Sequence, residues 1–243
     1  MTAHRPELAG QTVVLVGGSA GIGLETARLA RREGADVILV GRNPERLERA
    51  ARDVGAADTA AFDADDPAAL KAFFGGLGPI DHVLTTAGAP HYKPMLEMDA
   101  EEVRHGLGSH AVQAIELARA ARTKVRAGGS LLLMGGTGGR RIRRDLGIAS
   151  AATAVLPPLT ASLALELAPV RVNLIAAGFV DTPLSASLLG DQLEARREEL
   201  RATLPIGRVV GPADVAALAV HLMVNTALTG ATYDIDGGQQ FVS

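Results

Sequence analysis

The sequence predicts one doubly wound α/β domain over residues 1–243, a seven-stranded parallel sheet with helices on both faces. Three observations carry this prediction. Short apolar runs alternate with helical stretches from one end of the chain to the other. The runs are apolar throughout instead of alternating, as strands covered on both faces are. Finally, Val13-Val14-Leu15-Val16 leads straight into Gly17-Gly18-Ser19-Ala20-Gly21-Ile22-Gly23, and a helix-forming stretch, Leu24 to Arg32, follows.

The first strand, Val13 to Val16, therefore ends in a glycine turn built to hold a phosphate. Gly17 lets the chain turn off the strand, and Gly21 leaves room for a pyrophosphate to approach the backbone. Ser19 and Ile22 lie within the turn, and Gly23 lets the helix rest close on the sheet with its first amides aimed at the anion. The helix stops at Gly34, and Val37-Ile38-Leu39-Val40 is the second strand. Ala60-Ala61-Phe62 is the third and His82-Val83-Leu84-Thr85 the fourth. Leu131 to Met134 forms the fifth, between Gly128-Gly129 and Gly135-Gly136. Arg171 to Ile175 and Thr232 to Ile235 complete the set. The longest helical stretches are Ala100 to Arg126 and Ile148 to Leu167, and Pro157-Pro158 predicts a kink or a fresh start inside the second. After Thr182-Pro183, residues 184–203 are helical and charged from Glu194 to Arg201. An insertion after a late strand lies at the carboxyl edge of the sheet, where such folds bind ligands. It is a candidate substrate lid, with a solvated surface helix as the alternative.

Composition narrows the function classes. With 243 residues, 47% hydrophobic and 21% charged, the chain is long and apolar enough to bury a core. A net charge of −3 provides no basic footprint for nucleic acid. There are no cysteines, which excludes disulfides, thiolate metal sites and cysteine nucleophiles, and no metal-ligand pattern stands out. No apolar run reaches the ~18 residues of a membrane span and the start lacks a signal-peptide core, so the cytoplasm is the expected location.

The phosphate turn asks which dinucleotide it serves. Where this kind of fold binds NAD, an acidic residue about 20 positions beyond the glycines holds the ribose hydroxyls. Here the second strand ends Val40-Gly41-Arg42-Asn43, with no carboxylate at its tip. Gly41 leaves space, and Arg42 offers a planar cationic fork suited to a 2′-phosphate. NADP(H) is therefore expected in preference to NAD(H). Arg42 also precedes a helix that Asn43-Pro44 can cap and start, and the two roles are compatible.

Over nearly its whole length the chain resembles the short-chain dehydrogenase/reductase family, whose members share the Rossmann fold. The glycine turn is similar to that family's TGxxxGIG, with Val16 in place of the threonine. Asp63-Ala64 resembles the acidic-then-apolar pair that contacts adenine, and Thr85-Thr86-Ala87-Gly88 the NNAG motif without its asparagines. Leu163 to Pro169 and Arg171-Val172-Asn173 resemble the late helix and sixth strand. Ala177-Gly178-Phe179-Val180-Asp181-Thr182 stands where the family has PGxxxT, which implies that the backbone near Val180 and the Thr182 hydroxyl meet the nicotinamide amide. The resemblance further implies a homo-dimer or homo-tetramer, assembled through the two long helical stretches.

It also implies hydride transfer by a Ser–Tyr–Lys group with a helix asparagine, the tyrosine exchanging the proton and the lysine lowering its pKa. Counted back from the late helix, the YxxxK positions fall on Ala149 and Thr153, and the serine position on Gly136. The helix segment His105-Gly106-Leu107-Gly108-Ser109-His110 has no asparagine. The two tyrosines, Tyr92 and Tyr233, and the three lysines, Lys71, Lys93 and Lys124, all lie outside the stretch between Met134 and Val172. Alanine and glycine pass no proton, and threonine supplies no positive charge.

The substitutes in the sequence each have an ordinary reading beside the catalytic one. Tyr92, next to Lys93 and His91, lies on the loop after the fourth strand and is a candidate relocated acid or a packed loop residue. Thr137 is a candidate orienting hydroxyl or a turn threonine. Arg140 and Arg141 are candidate anion or oxyanion binders or a solvated cluster. Two functions follow: an NADP(H)-dependent oxidoreductase with a non-standard active site, acting on a small carbonyl, alcohol or related substrate, or a catalytically inactive dinucleotide-binding or sensing protein. Turnover separates them.

Overall fold

The computed structural model describes residues 7–90, 92–140 and 146–242. Its elements follow as β1 (Thr12–Val16), α1 (Gly21–Arg32), β2 (Asp36–Gly41), α2 (Pro44–Val54), β3 (Asp58–Ala61), α3 (Pro67–Gly76) and β4 (Ile80–Thr85). Then come α4 (Ala100–Ala121), β5 (Val125–Gly136), α5 (Gly147–Ala154), α6 (Leu156–Glu166) and β6 (Arg171–Ala177). The chain ends with α7 (Pro183–Leu189), α8 (Leu193–Thr203), α9 (Pro212–Val224) and β7 (Thr232–Ile235). All seven strands form one parallel sheet in the order β3-β2-β1-β4-β5-β6-β7. The order reverses between β1 and β4, so the crevice beyond their carboxyl ends is the switch point where ligands of such sheets bind.

Alternation along β1 separates two cores. Val13 and Leu15 pack with Ala27 and Ala30 of α1 and Val215, Ala219 and Leu222 of α9. Val14 and Val16 face the other side, with Leu70 and Phe74 of α3, Leu117 of α4 and Leu163 of α6. Successive strand residues point to opposite faces, so a strand apolar at every position needs both layers.

Local chemistry sets the helix starts. The Asn43 side chain accepts from Arg46 N, with Pro44 at the first helical position, and Asp66 accepts from Ala68 N and Ala69 N. Asp99 and Glu102 form a capping box at the start of α4. At the far end of β6 the buried Arg171 guanidinium donates to the Leu222, Met223, Asn225 and Leu228 carbonyls, the first two at 2.7 and 2.6 Å. It thereby satisfies the carbonyls that α9 leaves open at its carboxyl end.

The expected elements are present, with shifted edges. The helix expected to run to Arg126 ends at Ala121, because Val125 is buried opposite Ile80 at the start of β5 and Lys124 Nζ is tied to the Gly75 and Leu77 carbonyls. The third strand spans Asp58–Ala61, as the sheet's edge beside β2, and leaves Phe62 outside it. The proline pair does restart a helix: α5 closes at Ala154 and α6 carries Pro157 and Pro158 in its first turn. Residues 184–203 form two helices, parted at Gly190 with φ +50°. Gly147–Glu166 is long and apolar enough by length and composition to cross a membrane, where the sequence reading expected no such run. Here it is the α5–α6 pair, and Ile148, Ala152, Leu156 and Leu163 are buried.

Candidate functional site

A cleft of about 620 Å³ opens at the switch point. Its floor is the glycine turn between β1 and α1. Gly17 has φ +95°, and a Cβ there would stand 2.5 Å from Thr86 Oγ1 and 2.8 Å from Ala87 N. Thr86 holds the turn by donating from its backbone N to the Val16 carbonyl (2.7 Å) and from its hydroxyl to the Gly17 carbonyl (3.2 Å). A Cβ on Gly23 would meet that same carbonyl at 2.3 Å, so the third glycine lets α1 lie against the turn. Gly21, with φ +53°, sits under the Thr182 side chain at the cleft wall. No side chain caps α1 and no acidic residue occupies its first turn. Its leading amides and positive dipole end face the cleft, an anion site by construction.

One end of the cleft is cationic. Arg42 and Arg46 line it beside Ser19 and Asn43, and Arg42 is 76% exposed, with only a 3.8 Å approach to Asp63. A Cβ on Gly41 would come within 2.9 Å of Ser19 Oγ, so the glycine at the strand tip makes room for that hydroxyl. Asp63 lines the same wall with its carboxylate accepting from Asp65 N, and Ala64 is buried beside it. No carboxylate occupies the tip of β2 itself. The shape, the uncapped helix and the arginine pair fit a dinucleotide that carries an extra phosphate on its ribose.

Ala87, Gly88, Thr182, Pro183 and Leu184 line the opposite end. Thr182 caps α7, its hydroxyl accepting from Ser185 N at 3.2 Å. Val180 is buried, bridged to Val210, and is not among the cleft-lining residues. Behind α7, Arg197 of α8 forms a two-pronged ion pair with Asp181 (2.9 and 2.7 Å), which fastens the 184–203 segment beside the cleft.

A smaller hollow of about 70 Å³ lies between α4 and α5, lined by Ala149, Ala152 and Thr153 on one side and His105, Ser109 and His110 on the other. His105, Ser109 and His110 line the large cleft as well. A Cβ on Gly136 would stand 3.5 Å from Thr153 Cγ2, so Gly136, Ala149 and Thr153 share one corner. Ser109 Oγ is 3.3 Å from His110 Nδ1, and burial pushes the His110 imidazole below its ordinary range, partly opposed by Asp65. Gln113 receives a hydrogen bond from Thr85 Oγ1 (3.4 Å) and donates to Asp65 (2.7 Å).

The sequence candidates for catalysis lie elsewhere. Thr137 is buried outside both cavities. Arg140 pairs through both terminal nitrogens with Asp234 and donates to Gln240, and that pairing raises its pKa while lowering that of Asp234. Tyr92 is 51% exposed and lines neither cavity. Its neighbour Lys93 is bound to both oxygens of the Glu102 carboxylate at 2.8 and 2.7 Å. His91 and Arg141 lie outside the described residues. Sequence reasoning missed Arg46, one turn beyond Arg42, and the stripe His105, Ser109, Gln113. Their spacing of four places them on one helical face, and that signal was available.

Comparison with known proteins agrees with this fold. Residues 16–240 match the family model described as enoyl-(acyl carrier protein) reductase. The galactitol 2-dehydrogenase (L-tagatose-forming) of Cereibacter sphaeroides is 31% identical, with 95% of each chain covered. The NADP-dependent (R)-specific alcohol dehydrogenase of Lentilactobacillus kefiri is 30% identical over 95% of this chain and 97% of its own. Among solved structures, the L-sorbose reductase of Gluconobacter frateurii, complexed with NADPH and L-sorbose, superposes with a TM-score of 0.87. It is 25% identical and covers 98% of this chain and 99% of its own.

Proposed function

Since the chain belongs to the short-chain dehydrogenase/reductase family, we propose that it is an NADP(H)-dependent oxidoreductase with a non-standard active site. Its substrate is then a small carbonyl, alcohol or related compound. The observation that carries this reading is the cleft: an uncapped helix start docked by Thr86 onto a glycine turn, with Arg42, Arg46 and Ser19 at one end. The cofactor, when bound, supplies the hydride chemistry. The chain's own part begins with α1, whose amides hold the pyrophosphate. Ser19 and Arg42 engage the 2′-phosphate, and Arg46 adds charge from the first turn of α2. Asp63 and Ala64 would flank the adenine, Ala87 and Gly88 would line the path towards the nicotinamide, and Thr182 would meet the nicotinamide amide, without the buried Val180.

The active site is non-standard in that Gly136, Ala149 and Thr153 occupy the positions of the family's serine, tyrosine and lysine. None of the three moves a proton or carries a charge at neutral pH. A site lacking them still orients substrate, since general acid–base help is typically worth ~10²–10⁴ in rate. The 184–203 segment serves as the lid on the substrate side, held through Arg197 and Asp181. The exposed Leu107, Val112 and Ile115 of α4, with Leu165 of α6, support assembly as a homo-dimer or homo-tetramer.

The vacant proton chemistry at Ala149 and Thr153 favours a second reading, a dinucleotide-binding protein without turnover. One pair of measurements tests both. Fluorescence titration is expected to show NADPH binding more tightly than NADH. Single-turnover mixing with carbonyls, imines and enones is expected to oxidise NADPH. Binding without oxidation by any of them favours the second reading, and absence of binding overturns both.

A further inference from the structure

The hollow between α4 and α5 has Ala149 and Thr153 on one wall and Ser109 and His110 of α4 on the other. Gly106 is what brings the two helices together: a Cβ there would come within 2.4 Å of Ile148 Cγ2. One turn further along α4, Ser109 and His110 face Ala149, Ala152 and Thr153 across a space of about 70 Å³, and both also line the cleft. We propose that His110 is the proton-exchanging catalytic residue of this protein, and that Ser109 positions its ring. This rests on the oxidoreductase reading above.

Three observations support His110. Ser109 Oγ engages Nδ1 at 3.3 Å, and Nε2 has no hydrogen-bond partner among the described residues. The imidazole is half-buried and lines both cavities, whereas His105 is exposed and has no hydrogen-bond partner among the described residues. Among the described residues, the charge that acts on it is the Asp65 carboxylate after β3, which accepts from Gln113, and α5 lines the hollow with Ala149, Ala152 and Thr153. Burial lowers the pKa of the ring and so favours its neutral form, the state that accepts a proton.

In the oxidative direction the substrate's O–H bond breaks and its proton passes to His110 Nε2. The carbinol C–H bond breaks with its electron pair, which leaves as hydride to the oxidised nicotinamide dinucleotide. A C=O bond remains, so the alcohol is oxidised by two electrons and the dinucleotide is reduced by two. The imidazolium then loses its proton to solvent in the open cleft. Reduction of a carbonyl runs the same steps backwards and draws on the protonated ring.

The test combines spectroscopy and kinetics on the full chain. Imidazole ¹H–¹³C signals are recorded as NADP⁺ and then 2,2,2-trifluoroethanol, an alcohol that resists oxidation, are added. The His110 signal is assigned by its loss in His110→Gln. It is expected to titrate below pH 6.5 and to shift on each addition, while that of His221 on α9 stays fixed. In alcohol oxidation by NADP⁺, His110→Gln is expected to lower kcat by 10²–10⁴ with the KM for NADP⁺ within about threefold, and free imidazole to restore part of the rate in His110→Ala. A His110 signal unmoved by the alcohol while NADP⁺ shifts the glycine-turn amides overturns this proposal and leaves cofactor binding intact. If NADP⁺ shifts nothing, the cofactor reading and this proposal fall together.

Discussion

Thr86 and Gly17 touch across the switch point: the threonine hydroxyl donates to the glycine carbonyl at 3.2 Å, and a Cβ on the glycine would stand 2.5 Å from that hydroxyl. This contact docks the phosphate turn of β1 onto the end of β4. Gly17 also has φ +95°, so a side chain there meets both a steric and a conformational barrier.

Gly17→Ala is accordingly expected to weaken NADPH binding by at least tenfold and to destabilise the fold by about 1–3 kcal/mol. Fluorescence titration and thermal unfolding measure the two effects. An alanine variant with wild-type affinity would show that the turn does not carry the pyrophosphate.

The proposed preference for NADP(H) over NAD(H) is tested at Arg42. This side chain is 76% exposed and only weakly engaged with Asp63, so its removal costs the fold little. Arg42→Ala is expected to raise the NADPH Kd by tenfold or more and leave that of NADH within about threefold. Added salt should weaken wild-type NADPH binding more than NADH binding, because an exposed ion pair is screened. Equal affinities in the wild type would refute the NADP preference.

The corner formed by Gly136, Ala149 and Thr153 has room to be rebuilt. A serine Cβ at 136 meets Thr153 Cγ2 at 3.5 Å and the Ala177 carbonyl at 3.4 Å, both ordinary contacts, and Ala149 borders the open hollow. The combined variant Gly136→Ser, Ala149→Tyr, Thr153→Lys is expected to fold and to raise ketone reduction by about tenfold or more. A folded variant without gain would mean that the substrate end of the cleft has diverged too.

His82 makes stability depend on pH. It is buried, its Nε2 paired with Gln11 Oε1 at 2.6 Å and its Nδ1 with Ser130 Oγ at 2.9 Å. With the Gln11 amide so oriented, a ring protonated on Nε2 alone donates to Gln11 and accepts from Ser130. Burial first, then Arg171, lowers its pKa from 6.5 to about 4, against a smaller opposing effect of Asp81. The unfolded chain therefore binds this proton at higher pH than the native one. The contribution is complete above pH 6.5 and is lost as the pH drops towards 4, where the loss has reached about 3 kcal/mol. Thermal unfolding between pH 7 and 4 is expected to show this loss in the wild type and a flatter profile in His82→Gln.

Strand positions, the glycine turn, the helix restart at Pro157-Pro158 and the open end of β2 at Arg42 were legible because each depends on neighbours in the chain. An apolar β-branched run, a glycine before a helix or a proline pair acts through backbone geometry within a few residues. The sequence by itself thus determined a doubly wound sheet whose first strand ends in a glycine-turn socket. The tertiary structure decided which side chains stand around that socket. Arg140 is held by Asp234, and Lys93 by Glu102, partners that no spacing rule announces. Gly106 against Ile148 sets how closely α4 approaches α5, and so puts His105, Ser109 and His110 opposite Ala149 and Thr153. That juxtaposition depends on packing between two helices far apart in sequence, and packing is settled only when the whole sheet has brought them together.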